Sequence, residues 1–116
     1  MEFANPRYFS FLGNIRLTIY AHPSLKLWRA LSPESDDVAM GLNDLAAVER
    51  QAKEYDAAER DYREALRIAK KVNDREGVAI YTGNLATLAL VREQWAEAEA
   101  LAREALELAE KVGRQE

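Results

Sequence analysis

The sequence predicts an all-α protein: two stacked antiparallel helix pairs, preceded by an N-terminal cap that is helical or irregular. Three observations predict it. First, residues 38–76 and 78–116 repeat at a spacing of 40; Val38, Ala39, Leu45, Ala46, Ala58, Glu59, Arg63, Ala65, Leu66 and Ala69 all recur unchanged. Second, apolar residues within each copy return at helical intervals. Third, alanines occupy recurring positions on those stripes, and small side chains let two antiparallel helices approach closely. A repeat of this length marks stacked units, none of which buries its apolar face alone.

Residues 1–37 form the N-terminal segment and carry Phe3, Tyr8, Phe9, Phe11, Tyr20 and Trp28, six of the ten aromatics. Within residues 8–20, Phe9, Leu12 and Ile19 share a helical face, whereas Ile15, Leu17 and Ile19 alternate as a strand does; both readings stay open. His22-Pro23-Ser24 then reads as the start of a short helix with Leu25, Trp28 and Leu31 on one stripe. Such a helix would shield the open face of the first repeat.

Residues 38–77 are the first repeat. Ser32-Pro33-Glu34 predicts its start, with a capping serine and a proline in the first turn. Val38, Leu42, Leu45 and Ala46 give one helical face, and the pattern lapses at Gln51-Ala52-Lys53-Glu54. Asp56-Ala57-Ala58-Glu59 has the form of a capping box. The second helix carries Ala58, Tyr62, Ala65, Ala69 and Val72 on one side and ends at Asn73-Asp74. Residues 78–116 follow the same plan, with stripes at Val78, Tyr81, Leu85, Leu88 and Ala89 and at Ala98, Ala102, Ala105, Ala109 and Val112. Tyr55 and Trp95 are expected to fill space near the turns. Glu59 with Arg63, and Glu99 with Arg103, are i,i+4 pairs of a few tenths of a kcal/mol.

The ordered blocks Asn84-Leu85-Ala86, Trp95-Ala96-Glu97-Ala98 and Ala105-Leu106-Glu107-Leu108 resemble the tetratricopeptide repeat family. Leu45-Ala46, Tyr55-Asp56-Ala57-Ala58 and Ala65-Leu66 match it in the first copy. The 40-residue period is similar to the family's extended repeats. Three positions depart from its pattern: Lys53 and Glu93 replace the turn glycine, Glu49 and Ala89 the first-helix aromatic, and Lys70 and Glu110 the closing proline. The resemblance implies a protein or peptide partner, held in a concave groove lined by the first helix of each repeat. In this chain those positions are Met40, Asn43, Asp44, Ala47, Arg50 and Gln51, then Ile80, Gly83, Asn84, Thr87, Leu90 and Val91. Asn84 resembles the asparagine with which some members hydrogen-bond a ligand; Asp44 is its counterpart here. A basic clamp for a terminal carboxylate is not evident, since Arg50 stands nearly alone. The other reading of Ile80, Leu90 and Val91 is packing against the N-terminal segment or a second subunit.

Composition narrows the function classes. The chain has no cysteine, which removes disulfides and thiolate metal sites and fits a reducing compartment. The net charge is −4, yet residues 1–31 carry Arg7, Arg16, Lys26 and Arg29 against Glu2 alone, so the repeat body is acidic. An acidic body argues against nucleic-acid binding, which depends on neutralising phosphates. No apolar run reaches bilayer length, and Asn14 and Arg16 interrupt the one stretch that resembles a signal peptide. A cytoplasmic protein is the expectation. His22 has no partner histidine or cysteine beside it, the acidic residues of 97–110 are interspersed with bases, and the glycines are scattered singly. Neither enzyme nor cofactor is expected. Finally, Leu101, Ala105, Leu108 and Val112 form an apolar stripe on the last helix, where the first copy has Asp61 in place of Leu101. That stripe predicts self-association as a homodimer.

Overall fold

The computed structural model describes residues 34–115, which form four α-helices in two antiparallel hairpins. They are α1 (Asp36–Gln51), α2 (Tyr55–Lys71), α3 (Arg75–Val91) and α4 (Trp95–Gln115). There is no strand among the described residues. The proposed N-terminal cap, the ambiguous stretch 8–20, the His22-Pro23-Ser24 start and Glu116 lie outside them.

Helix starts differ from the sequence expectation in two places. The side chain that caps α1 is Ser35, not Ser32: its Oγ accepts from the Val38 amide at 3.3 Å, and Asp36 and Asp37 sit in the first turn. Carboxylates there complement the positive end of the helix dipole. The capping box at Asp56 does not form. α2 begins two residues earlier than that box would start it, at Tyr55, and its N-cap Glu54 makes no side-chain capping bond. The cause is the short connection. Ala52, Lys53 and Glu54 reverse the chain, which leaves Asp56 already inside the first turn and directed at Arg92 of α3. By contrast Asp74 caps α3 as a cap should, with Oδ1 accepting from the Gly77 amide at 3.0 Å. The Asp74 carboxylate lies where a Cβ on Gly77 would sit, so a side chain at position 77 would push the capping carboxylate aside.

All three connections close in one way. After α1 the Lys53 amide donates to the Arg50 carbonyl at 3.0 Å and the Glu54 amide to Glu49 at 2.8 Å. Asn73 and Asp74 repeat this after α2, and Glu93 and Gln94 after α3. The middle residue of each turn is left-handed: φ is 64° at Lys53, 58° at Asn73 and 60° at Glu93. These are Schellman closures, which ordinarily use glycine at that place.

Two buried clusters join the hairpins. Val38, Ala39 and Leu42 of α1 pack with Ala65, Ile68 and Ala69 of α2, and Tyr81 of α3 closes over them. Ala46, Ala58 and Tyr62 pack with Leu85 and Leu88 of α3, flanked by Tyr55, Leu66 and Leu101. Each cluster therefore spans both hairpins, and burying Leu85 and Leu88 at the joint contributes about 1.5–3 kcal/mol apiece. The alanines keep the helices close: Ala46, Ala58, Ala65 and Ala69 are completely buried. Polar ties reinforce the joint. Arg92 reaches Glu59 and Asp56 at 3.1 Å each, and Arg63, paired with Glu59 on its own helix, also reaches Glu97 of α4 at 3.1 Å. Tyr55 and Trp95 are not equivalent. Tyr55 packs on the core beneath Arg92, whereas Trp95 is 62% exposed. At the family's aromatic position, Glu49 and Ala89 are both buried.

Candidate functional site

α1 and α3 lie in adjacent hairpins, and Asn43 and Asn84 join them: the Asn84 side-chain amide donates to Asn43 Oδ1 at 2.6 Å. Met40, Asp44, Ala47 and Gln51 recur at i, i+4, i+7 and i+11 and form one face of α1. Met40, Asp44 and Gln51 are exposed and Ala47 half-buried. Ile80, Asn84, Thr87 and Val91 are the same face of α3, with Asn84 half-buried and the others exposed. Large apolar groups stand on this face without a covering element among the described residues: Met40, Ile80 and Val91. Asp44 adds a carboxylate. A side-chain amide has two N–H groups and two carbonyl lone pairs, so the bond to Asn43 leaves Asn84 one N–H to donate and its carbonyl oxygen to accept.

The remaining predicted groove residues take other places. Asn43 serves the joint, Arg50 is half-buried, and Gly83 and Leu90 line a groove with α4. Gly83 faces α4, since a Cβ there would lie 3.9 Å from that of Ala105, an ordinary contact distance.

The predicted self-association stripe does not behave as one surface. Leu101 is half-buried and packs on the cluster of Tyr62, Leu85 and Leu88. Ala105 lines a groove between α3 and α4 together with Gly83, Ala86, Leu90, Ala98 and Ala102. Leu108 and Val112 line a separate hollow of about 390 Å³ with Arg75 and Val78. The large apolar residues that α4 does expose are Trp95 and Leu106. The α3–α4 groove was not anticipated, although a signal for it existed. Its residues are the 40-residue copies of Asn43, Ala46, Arg50, Ala58, Tyr62 and Ala65, the seat on which α3 rests.

Among the described residues no group of three metal-ligating side chains converges, and no helix is long and apolar enough to cross a membrane. Tyr81 is the perturbed phenol. Burial pushes it up to about 12, and the charges of Asp74, Asp44 and Asp36 act in the same direction. Near neutral pH a phenol so placed stays protonated and acts as a core group. On the surface, Lys71 and then Arg67 hold Glu34 below the ordinary carboxylate range.

A family model described as tetratricopeptide repeat matches residues 37–111, more than half of the chain. No curated protein matches it.

Proposed function

The chain belongs to the tetratricopeptide repeat family, and from that premise we propose that it is a non-catalytic module that holds a peptide or helix of a protein partner on the joined faces of α1 and α3. Repeats of this family generally mediate protein–protein interaction and are generally non-catalytic. The observation that carries the reading is the alignment of two equivalent helix faces. Met40, Asp44, Ala47 and Gln51 stand beside Ile80, Asn84, Thr87 and Val91, and the Asn43–Asn84 bond keeps the helices in register. A preformed surface of this kind spends little free energy on ordering when a partner docks. Met40, Ile80 and Val91 supply apolar contact, while Asp44 and Asn84 supply polar contacts that orient the bound chain.

The test begins with a displayed peptide library selected on the full chain, followed by titration of a selected peptide. Val91→Glu and Asn84→Ala should weaken binding while helix content by circular dichroism stays unchanged. Arg103→Ala, on an exposed position of α4, is the control. A larger loss from Arg103→Ala than from Val91→Glu would place the partner elsewhere.

Self-association is the second reading, and part-exposed Ala105, Leu108 and Val112 on α4 favour it. Light scattering across a concentration series tests it. A monomer at every concentration removes this reading.

A further inference from the structure

Because the two hairpins share a sequence plan, the surface that receives α3 on the first hairpin has a copy on the second. On the first, Ala46, Ala58 and Tyr62 are buried beneath Leu85 and Leu88, and Tyr81 closes over Leu42 and Ala65 farther along. Arg92 fastens the edge of that seat, with Nη1 3.1 Å from Glu59 and Nη2 3.1 Å from Asp56. So α3 docks with Tyr81, Leu85 and Leu88 at i, i+4 and i+7 and an arginine at i+11. That spacing sets all four on one side of a helix.

Forty residues on, Ala46, Ala58, Tyr62 and Ala65 become Ala86, Ala98, Ala102 and Ala105. These, with Gly83 and Leu90, line the open groove between α3 and α4, about 520 Å³ in volume. Two side groups of the first seat are missing from the second: Gly83 stands in place of Asn43, and Ala102 in place of the Tyr62 ring. Leu90 replaces Arg50, so the second seat is also the more apolar. Its rim carries Leu90 and Trp95, 52% and 62% exposed. Its acidic edge is kept in part: Ala96 stands in place of Asp56, and the second carboxylate remains. Glu99 stands where Glu59 does, and pairs with Arg103 at 2.6 Å as Glu59 pairs with Arg63 at 3.1 Å. Glu59 accepts Arg92 in addition, which shows what the second carboxylate is placed to do.

We propose that the groove between α3 and α4 is a second docking site, for an amphipathic helix of a partner protein with bulky apolar residues at i, i+4 and i+7 and an arginine at i+11. The occupant's chemistry follows from α3, which fills the equivalent seat in that manner, and from the Glu99 carboxylate that matches the arginine. The site is distinct from the α1–α3 face and shares only the boundary around Thr87. The apolar residues would fill the room left by the missing Tyr62 and Asn43 equivalents, which favours larger side chains than the first seat accepts.

The probe is a fluorescein-labelled synthetic peptide of residues 75–92, titrated against the full chain and read by anisotropy. Saturable binding is expected. Ala102→Glu in the chain, or Leu85→Glu in the peptide, should weaken it at least about tenfold, since each buries a charge in an apolar contact. Glu99→Gln should weaken it about threefold at low salt, the ordinary size of a partly exposed ion pair. Ala102 is exposed, and unchanged circular dichroism shows that the variant remains folded. As a measurement free of that concern, a photo-crosslinking side chain at position 102 should capture the peptide. The proposal is overturned by absence of saturable binding or by affinity indifferent to Ala102→Glu. It is equally overturned if, without peptide, position 102 crosslinks to a second copy or to residues 1–33, because the groove then has another occupant. Val91→Glu leaves this binding unchanged, so failure here and failure at the α1–α3 face are told apart.

Discussion

Replacing Lys53 and Glu93 by glycine should stabilise the protein, and the size of the gain follows from backbone geometry. Both residues sit at the left-handed position of a Schellman closure, with φ of 64° and 60°. A side chain in that region brings Cβ against the following carbonyl oxygen, at a cost of about 1–2 kcal/mol. Glycine removes the clash but loses more backbone freedom on folding, roughly 0.5–1 kcal/mol. The difference is a gain of about 0.5–1 kcal/mol at each site, which raises Tm by about 2–6 °C for a chain of this size. The capping hydrogen bonds, from Lys53 to Arg50 and from Glu93 to Leu90, use backbone atoms alone and survive the change. Asn73 occupies the third such position with φ of 58°. Asparagine tolerates this region better than lysine or glutamate, so Asn73→Gly should move Tm much less. Lys53→Val supplies the opposite sign, because a β-branched side chain is worst there. Thermal and urea unfolding followed by circular dichroism reads all four variants. A lower Tm for Lys53→Gly and Glu93→Gly would refute the account of these turns.

Ala58→Leu should cost roughly 1–3 kcal/mol by overpacking, because Ala58 is completely buried beneath α3, whereas Ala98→Leu should cost less, since Ala98 opens on the α3–α4 groove. Equal losses in urea unfolding would mean that the two alanines share an environment. Tyr81 should make stability fall in alkali. Its pKa is raised from 10.0 to about 12 in the fold, so its contribution is complete below pH 10 and is lost as pH climbs toward 12. Tyr81→Phe should flatten that slope, and a wild type whose tyrosinate absorbance shows every phenol titrating near pH 10 would contradict it.

Helices, hairpins and their order were legible in the sequence because they depend on neighbours within a few residues. The stripe Val38, Leu42, Leu45 and Ala46, the lapse at 51–54 and the break at Asn73-Asp74 are local periodicity and turn chemistry, and the second copy repeats Val38, Leu45 and Ala46 and the lapse, though not the break, since α4 runs on through Gly113 and Arg114. Caps were less legible. Ser32 and Asp56 both satisfy a capping pattern, yet the helix start depends on where the preceding backbone closes, and Ser35 and Glu54 occupy the cap positions. For the candidate surface, the exposed face at Met40, Ile80 and Val91 followed from periodicity, while the commitment of Asn84 to Asn43 needed the distance between two helices.

By itself, then, the sequence determined that residues 38–116 are a pair of similar helical hairpins packed through alanine, with an acidic balance over the repeats as a whole. Only the tertiary structure decided what each stripe touches. Leu101, Ala105, Leu108 and Val112 form one line on a helical wheel, but α4 has 21 residues and runs about 30 Å. Along that length the line meets the core at Leu101, the open groove at Ala105, and a hollow with Arg75 and Val78 at Leu108 and Val112. Periodicity tells which side chains share a face. How one helix lies across its neighbours tells which part of that face is covered, and that placement comes from packing between segments distant in sequence.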